Sequence, residues 1–221
     1  MHSLKIFEKH IPYLLPLLLM FYRGLADFTV LFIGILFLYK SYKDSSWLWA
    51  KEPWFKMALL FVFYLLTVNV FISLNPQDSF FYALTFLRWP IFAAALAYWL
   101  LKQEDSIKKF LIGVLIITAF FVFDVWYQFF QGEDIFGYSK HSEGRLTGPL
   151  RNNPVVGIFI TKYLYILLTS VIIFNKFTKN SMQIFAILSL LLIGFITVLI
   201  TGERMSFILF NKMFLQCLFL A

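Results

Sequence analysis

Gly144-Arg145-Leu146-Thr147-Gly148-Pro149-Leu150-Arg151-Asn152-Asn153-Pro154-Val155-Val156-Gly157 is the heart of the one long polar interval in a chain that is otherwise mostly hydrocarbon. Apolar runs long enough to span a bilayer lie on both sides of it. With two prolines and three glycines among these residues, the interval cannot form a spanning helix, because proline removes backbone donors and glycine loosens the backbone. It reads as a shaped, positively charged loop at a membrane surface, rich in donors, and the matching ligand is an anion.

Composition agrees. The 221 residues are 61% hydrophobic, 21% aromatic and 14% charged, against about 25% charged in soluble domains. The chain is an integral membrane protein, so the net charge of +7 speaks of topology and gives no reason to expect nucleic acid. A lone cysteine, Cys217, excludes an internal disulfide. His2, His10 and His141 lack ligand spacing, so no metal site is expected.

Outward from the loop, the hydropathy predicts an all-α polytopic bundle of about seven to eight membrane helices in a single domain, at roughly 11–22, 25–39, 54–74, 80–101, 110–130, 155–174, 182–200 and 205–221. Pro12 and Pro16 make the first short and leave room for a re-entrant or tilted element, and Arg23-Gly24 reads as a tight turn. The last run is weakened by Asn211 and Lys212. Residues 131–154 form the long loop, and 175–180 a lysine-bearing turn.

Orientation follows from lysine. Lys5 and Lys9, then four lysines in 40–56, three in 102–109 and two in 175–180 fall on one side if the helices alternate. The positive-inside rule makes that side, and the N-terminus, cytoplasmic. The turns at 23–24, 75–79, 131–154 and 201–204 then lie outside. All five arginines (Arg23, Arg88, Arg145, Arg151 and Arg204) lie on that outer side or within a helix.

An arginine fork grips phosphate or carboxylate through two bonds at once. A single outer arginine is most simply a snorkelling anchor. Three of them in glycine- and proline-rich breaks suggest an anion site instead. Arg88, inside the fourth apolar run, must face protein or water. Asp124 is its expected partner, with Gln128 one turn further along the same helix face. Such a pair either locks two helices or lines a cavity below the loop. Trp47, Trp49, Trp54, Trp99, Trp126 and Tyr127 read mainly as an aromatic belt. The run 41–54 reads as an ordinary cytoplasmic loop in preference to an interfacial amphipathic segment. There is no P-loop, no Ser-His-Asp set and no internal repeat.

Taken in order, Asp124-x-x-x-Gln128-x-x-x-Gly132-x-Asp134-x-x-Gly137, Gly144-Arg145-Leu146-Thr147-Gly148-Pro149, Asn153-Pro154-x-x-Gly157 and Thr201-Gly202-Glu203-Arg204 resemble the O-antigen ligase and O-antigen polymerase family of bacterial envelopes. The Arg88-Trp89-Pro90 helix and the opening Arg-Gly-Leu-Ala-Asp stretch are also similar to it. The resemblance implies a membrane-type glycosyltransferase of the bacterial inner membrane. It would move a glycan from an undecaprenyl-diphosphate carrier, at the periplasmic face, to lipid A–core or to another carrier-linked chain. It implies no metal, no cofactor and no nucleotide sugar; the partners would be the carrier-linked donor, a lipid or glycan acceptor and membrane lipids. By the match, Arg204 is the candidate catalytic residue, against the donor's diphosphate. Arg145, Arg151, Arg88, Thr147, Gly148, Asn153, Asp124 and Gln128 are the candidate substrate-binding residues. Family members continue through a further periplasmic segment bearing an arginine and a histidine, so this chain is expected to be an N-terminal portion. Two other classes stay open: a transporter or channel component, suggested by intramembrane charge in broken helices, and a non-catalytic membrane fragment.

Overall fold

The computed structural model describes residues 2–20, 23–141, 144–151, 153–174 and 181–220. Among these residues the regular secondary structure is all helical, with no strand beyond one isolated bridge between Glu133 and Ser139. The helices are α1 (His2–Met20), α2 (Arg23–Lys43), α3 (Pro53–Ile72), α4 (Pro76–Leu100), α5 (Glu104–Gln131), α6 (Val156–Phe174), α7 (Ser181–Ile200) and α8 (Arg204–Leu220). Four segments are long and apolar enough to cross a membrane: Gly24–Lys43, Pro53–Ile72, Pro76–Leu100 and Glu104–Gln131. In Pro53–Ile72 only 11% of the apolar window is buried, and Phe61, Phe63, Phe71 and Ile72 are exposed. In water such a surface would drive aggregation; in lipid it is the ordinary outer face. The chain is a membrane protein. The expected turn at 175–180 lies outside the described residues.

The chain divides into two compact units, Met1–Lys108 and Lys109–Ala221. In the first, α1 is continuous from His2 through Pro12 and Pro16 rather than beginning near Ile11. Its early turns are held by polar contacts: Glu8 accepts from Lys40 Nζ at 3.1 Å and from Trp99 Nε1 at 2.6 Å. Phe7 packs on Phe32 and Trp99. Arg23-Gly24 opens α2 instead of making a turn. Both α3 and α4 begin with proline at the first helical position, where a missing N–H costs nothing.

α3 and α4 are regular only in part. Each has a π-helical stretch, Leu65–Asn69 and Leu96–Leu100. α4 also breaks at Leu87, between Pro76–Phe86 and Arg88–Ala95. Pro90 explains that break, since it cannot donate to the carbonyl of Phe86 four residues before it. The tryptophans divide in a way the belt reading did not anticipate. Trp49 and Trp99 are buried while Trp47 and Trp54 are exposed. Trp49 sits in the short 3-10 turn Leu48–Lys51, ring to ring with Phe37 at 5.1 Å and Phe55 at 4.8 Å, and donates to Ser41 Oγ at 3.1 Å. The segment after α2 is thus pinned by a core aromatic.

In the second unit α5 runs for 28 residues, about 42 Å. Its buried side is Val114, Ile117, Thr118, Phe121, Asp124, Val125 and Gln128, the three- and four-residue spacing of one helix face. Trp126 Nε1 donates to Thr197 Oγ1 at 3.0 Å and ties α5 to α7.

Candidate functional site

The site grows from the C-terminal end of α5. Gly132, with φ of +89°, ends the helix and donates its N–H to Gln128 O at 2.9 Å, the left-handed stop that glycine alone makes without strain. A tight hairpin follows. Asp134 Oδ1 accepts from the N–H groups of Phe136 at 3.0 Å and Tyr138 at 2.6 Å, and Asp134 N–H donates to Tyr138 O at 2.9 Å. The Gly132-x-Asp134-x-x-Gly137 spacing therefore has a local meaning: a helix stop, an aspartate-centred turn, and a second glycine at φ +84°.

The loop is then fastened to α5 by one side chain. Gln128 is fully buried. Its Oε1 accepts from the N–H groups of Thr147 and Gly148, both at 2.9 Å, and its Nε2 donates to Tyr138 O at 3.1 Å and Thr147 Oγ1 at 3.0 Å. Both donors and both acceptor positions of the amide are used. Asp124, one turn earlier, accepts from Ile135 N–H at 2.9 Å through Oδ1. Its Oδ2 and the Oδ2 of Asp134 are buried with no protein partner. Gly148 lies so close to the helices that a Cβ there would stand 2.9 Å from Val156 Cγ2 and 3.3 Å from Val125 Cγ2.

Arg88 and Asp124 are not partners. Arg88 Nη2 is bonded to Asp27 Oδ1 at 2.8 Å, between α4 and α2. Asp27 belongs to the Arg-Gly-Leu-Ala-Asp stretch that opens α2, and Asp124 accepts from a backbone N–H of its own loop. Asp27 is the acid within the second apolar run, so its signal was present in the sequence.

The second fastening joins the loop to the break between α7 and α8. Leu146 N–H donates to Thr201 O at 3.2 Å. A Cβ on Gly202, whose φ is +70°, would stand 3.7 Å from Arg145 Cγ and 3.9 Å from Arg145 Cα. Glu203, largely buried, reaches across to the first turn of α6 and accepts from Ile158 N–H at 3.1 Å and from Gly157 N–H. A carboxylate at a helix N-terminus satisfies donors that have no partner within the helix. Burial pushes the Glu203 carboxyl above the usual range, with these N–H bonds and the Arg145 charge acting against it. Gly157 must be glycine: a Cβ there would lie 2.6 Å from Ser206 Oγ and 2.8 Å from both Glu203 Oε2 and Thr201 Oγ1.

The sequence-flagged residues now sort by position. Asp124, Gln128, Thr147 and Gly148 are buried. They hold the loop's backbone, with the donors of Gln128 and the N–H groups of Thr147 and Gly148 committed there. Arg151, Asn153 and Arg204 are exposed, and Arg145 is half-buried. Arg151 has φ +61°, a backbone conformation that a bulky side chain rarely takes. Arg88 lies in the other unit. Glu203 and Gly157 belonged to quoted motifs, but their roles as cap and close-packing site went unread. A buried acid beside a helix break was the available signal.

Among the described residues no group of three or more His, Cys, Asp or Glu side chains is placed to hold a metal ion. Neither the protein-family models, nor the curated proteins, nor the solved structures give a match to this chain.

Proposed function

We propose that the chain belongs to a metal-independent membrane glycosyltransferase of the O-antigen ligase and polymerase kind. Its bundle of seven to eight membrane helices would stand in the bacterial inner membrane with the N-terminus cytoplasmic and 131–154 periplasmic. The observation that carries the reading is the Leu146–Thr201 backbone bond with Arg145 seated on Gly202. It joins two of the segments that carry the resemblance, and places Arg145 beside the break that leads into Arg204. The lysine asymmetry supports the orientation.

In this reading an acceptor hydroxyl attacks the anomeric carbon of the carrier-linked glycan. The new C–O bond forms as the bond to the carrier's diphosphate breaks, and the hydroxyl proton passes to a base. Negative charge grows on the departing diphosphate. Fixed cations aimed at that charge stabilise the transition state, each charge-assisted bond contributing about 1.5–3 kcal/mol. Arg204 and Arg145 supply the forks. Gln128, Asp124, Thr147 and Gly148 act one step removed, by fixing the loop that carries Arg145 and Arg151.

The test is glycan transfer from an undecaprenyl-diphosphate donor in membranes carrying the full-length gene product. Arg204→Lys keeps the charge and loses the two-bond grip. Transfer should fall at least about tenfold at unchanged membrane level, the rate equivalent of roughly 1.4 kcal/mol. Wild-type transfer by the Lys variant would reduce Arg204 to an interfacial anchor and remove the main claim.

A further inference from the structure

On the surface of the second unit, α6 and α8 together form a groove of about 480 Å³ lined by Thr161, Lys162, Tyr165, Ile166, Leu209, Lys212 and Met213. Nothing in the proposed transfer chemistry uses it. Its polar side chains are two ammoniums and two hydroxyls, with no acidic residue in the lining, and its remaining wall is aliphatic. Lys162 and Lys212 are exposed, and Leu209, Ile166 and Tyr165 are half-buried, so the groove is reachable from outside the unit.

Depth places the two lysines together. The N-terminal turns of α6 and α8 meet at Gly157, Glu203 and Ser206. Lys162 stands about 9 Å along α6 from that end, and Lys212 about 12 Å along α8. Helical side chains lean toward the N-terminus, so both ammoniums rise toward the same membrane edge while their stems lie on apolar wall. Among the described residues neither lysine has an acidic partner, and two lysines at similar depth within apolar helices are costly unless a counter-charge meets them.

Thr161 gives the independent sign of a ligand. In this chain buried or half-buried helical threonines bond back to the carbonyl four residues earlier. Thr29 does so to Leu25, Thr118 to Val114, Thr169 to Tyr165 and Thr197 to Ile193, all at 2.7–2.8 Å. Thr161 does not. It is 3% exposed, and its Oγ1 is buried without a partner. A buried hydroxyl left unpaired costs about 1–3 kcal/mol, and the groove it lines holds the two cations that would attract an acceptor.

We infer that the α6–α8 groove binds one anionic phospholipid, its phosphate diester between Lys162 and Lys212 within reach of the Thr161 hydroxyl and one acyl chain along Ile166, Leu209 and Met213. Single ammoniums on flexible stems suit the one charge of a phosphodiester, whereas a diphosphate is better matched by the arginine forks. The inference rests on α6 and α8 standing in the bilayer, as in the proposed reading, and is independent of glycan transfer.

The test is lipid retention by the purified full chain, read by native mass spectrometry after equilibration with phosphatidylglycerol or phosphatidylcholine in mixed micelles. Phosphatidylglycerol should be retained in preference. Lys162→Gln or Lys212→Gln should each lower its retention about 5-fold and the pair about 25-fold. Lys162→Arg with Lys212→Arg should keep it, and Thr161→Val should lower it with the lysines intact. A photo-crosslinking residue at Leu209 should label phosphatidylglycerol in the otherwise unaltered chain, which decides the matter even if the Gln pair does not fold. Equal retention of the two lipids, unchanged retention by a folded Gln pair, or preferential labelling of added undecaprenyl phosphate at Leu209 would each overturn the assignment. Retention of phosphatidylglycerol by a protein that transfers no glycan would refute only the transfer reading.

Discussion

The two units handle polar side chains in opposite ways. In the first, charge meets charge: Arg88 is bonded to Asp27 at 2.8 Å and Lys40 to Glu8 at 3.1 Å, and each pair ties one helix to another. In the second, Gln128, Asp124 and Glu203 bind backbone N–H groups of a loop and of a helix start. Those side chains bind main chain, while the Arg145 charge also acts on Glu203. The difference teaches where a ligand's charge can enter. A helix lock leaves little for an anion to gain, whereas a loop fastened by its backbone can carry arginines at its surface.

The sharpest way to break this contrast is Gln128→Leu. It leaves the N–H groups of Thr147 and Gly148 buried and unpaired, together with the Thr147 hydroxyl. At about 1–3 kcal/mol for each orphaned group, the loss should reach roughly 3–5 kcal/mol. Thermal unfolding in detergent would show it, and limited proteolysis should cut within 131–154. A variant that melts like the parent with its loop protected would show that the loop is held by other means.

The pair in the first unit should cost less to disturb, because Asp27 is 36% exposed at its side chain and solvent screens it. Arg88→Asp places two carboxylates together and should lower folded yield, with a loss of about 1–2 kcal/mol. Arg88→Asp combined with Asp27→Arg should recover it. Arg88→Asp with Asp124→Arg should not, which separates the observed partner from the one expected from the sequence.

A smaller effect concerns Glu203. Its carboxyl is raised by burial, so between the ordinary glutamate range and its folded value the folded state holds more proton than the unfolded chain. Stability must therefore fall as pH rises through that window. Glu203→Gln retains an acceptor for the Ile158 N–H and has no proton to lose. Comparing melting at a pH near the ordinary glutamate range with melting well above it, the parent should lose more than the variant. Equal losses would mean that the carboxylate is solvated.

The fold class was legible because hydropathy alone dictates it: in lipid the backbone must satisfy itself within helices, and Pro53–Ile72 and Glu104–Gln131 declare themselves by length. The positions of the loop and of the 201–204 break were legible too, since glycine and proline cannot hide inside a span. What could not be read was who pairs with whom. The need of an intramembrane arginine for a counter-charge suggested Asp124 for Arg88, but a carboxylate can be captured by a loop N–H from 11 residues away, which no periodicity encodes. Trp49 and Trp99 looked like belt residues because a tryptophan near a helix end reads the same whether it faces lipid or core. Lys162 went unremarked, being a single lysine in an apolar run. Only the neighbouring helix, bringing Lys212 to the same groove, gives it a reading.

The claim on which the account depends is that arginines carried by the loop and the break receive a diphosphate. Binding of undecaprenyl diphosphate to the purified full chain, set against undecaprenyl monophosphate, measures it most directly. The account predicts tighter binding of the diphosphate, with Arg145→Lys and Arg204→Lys each weakening it about tenfold, as expected when a charge-assisted bond of roughly 1.5–3 kcal/mol is lost. Equal affinity for the two carriers, or diphosphate binding indifferent to both substitutions, would contradict it.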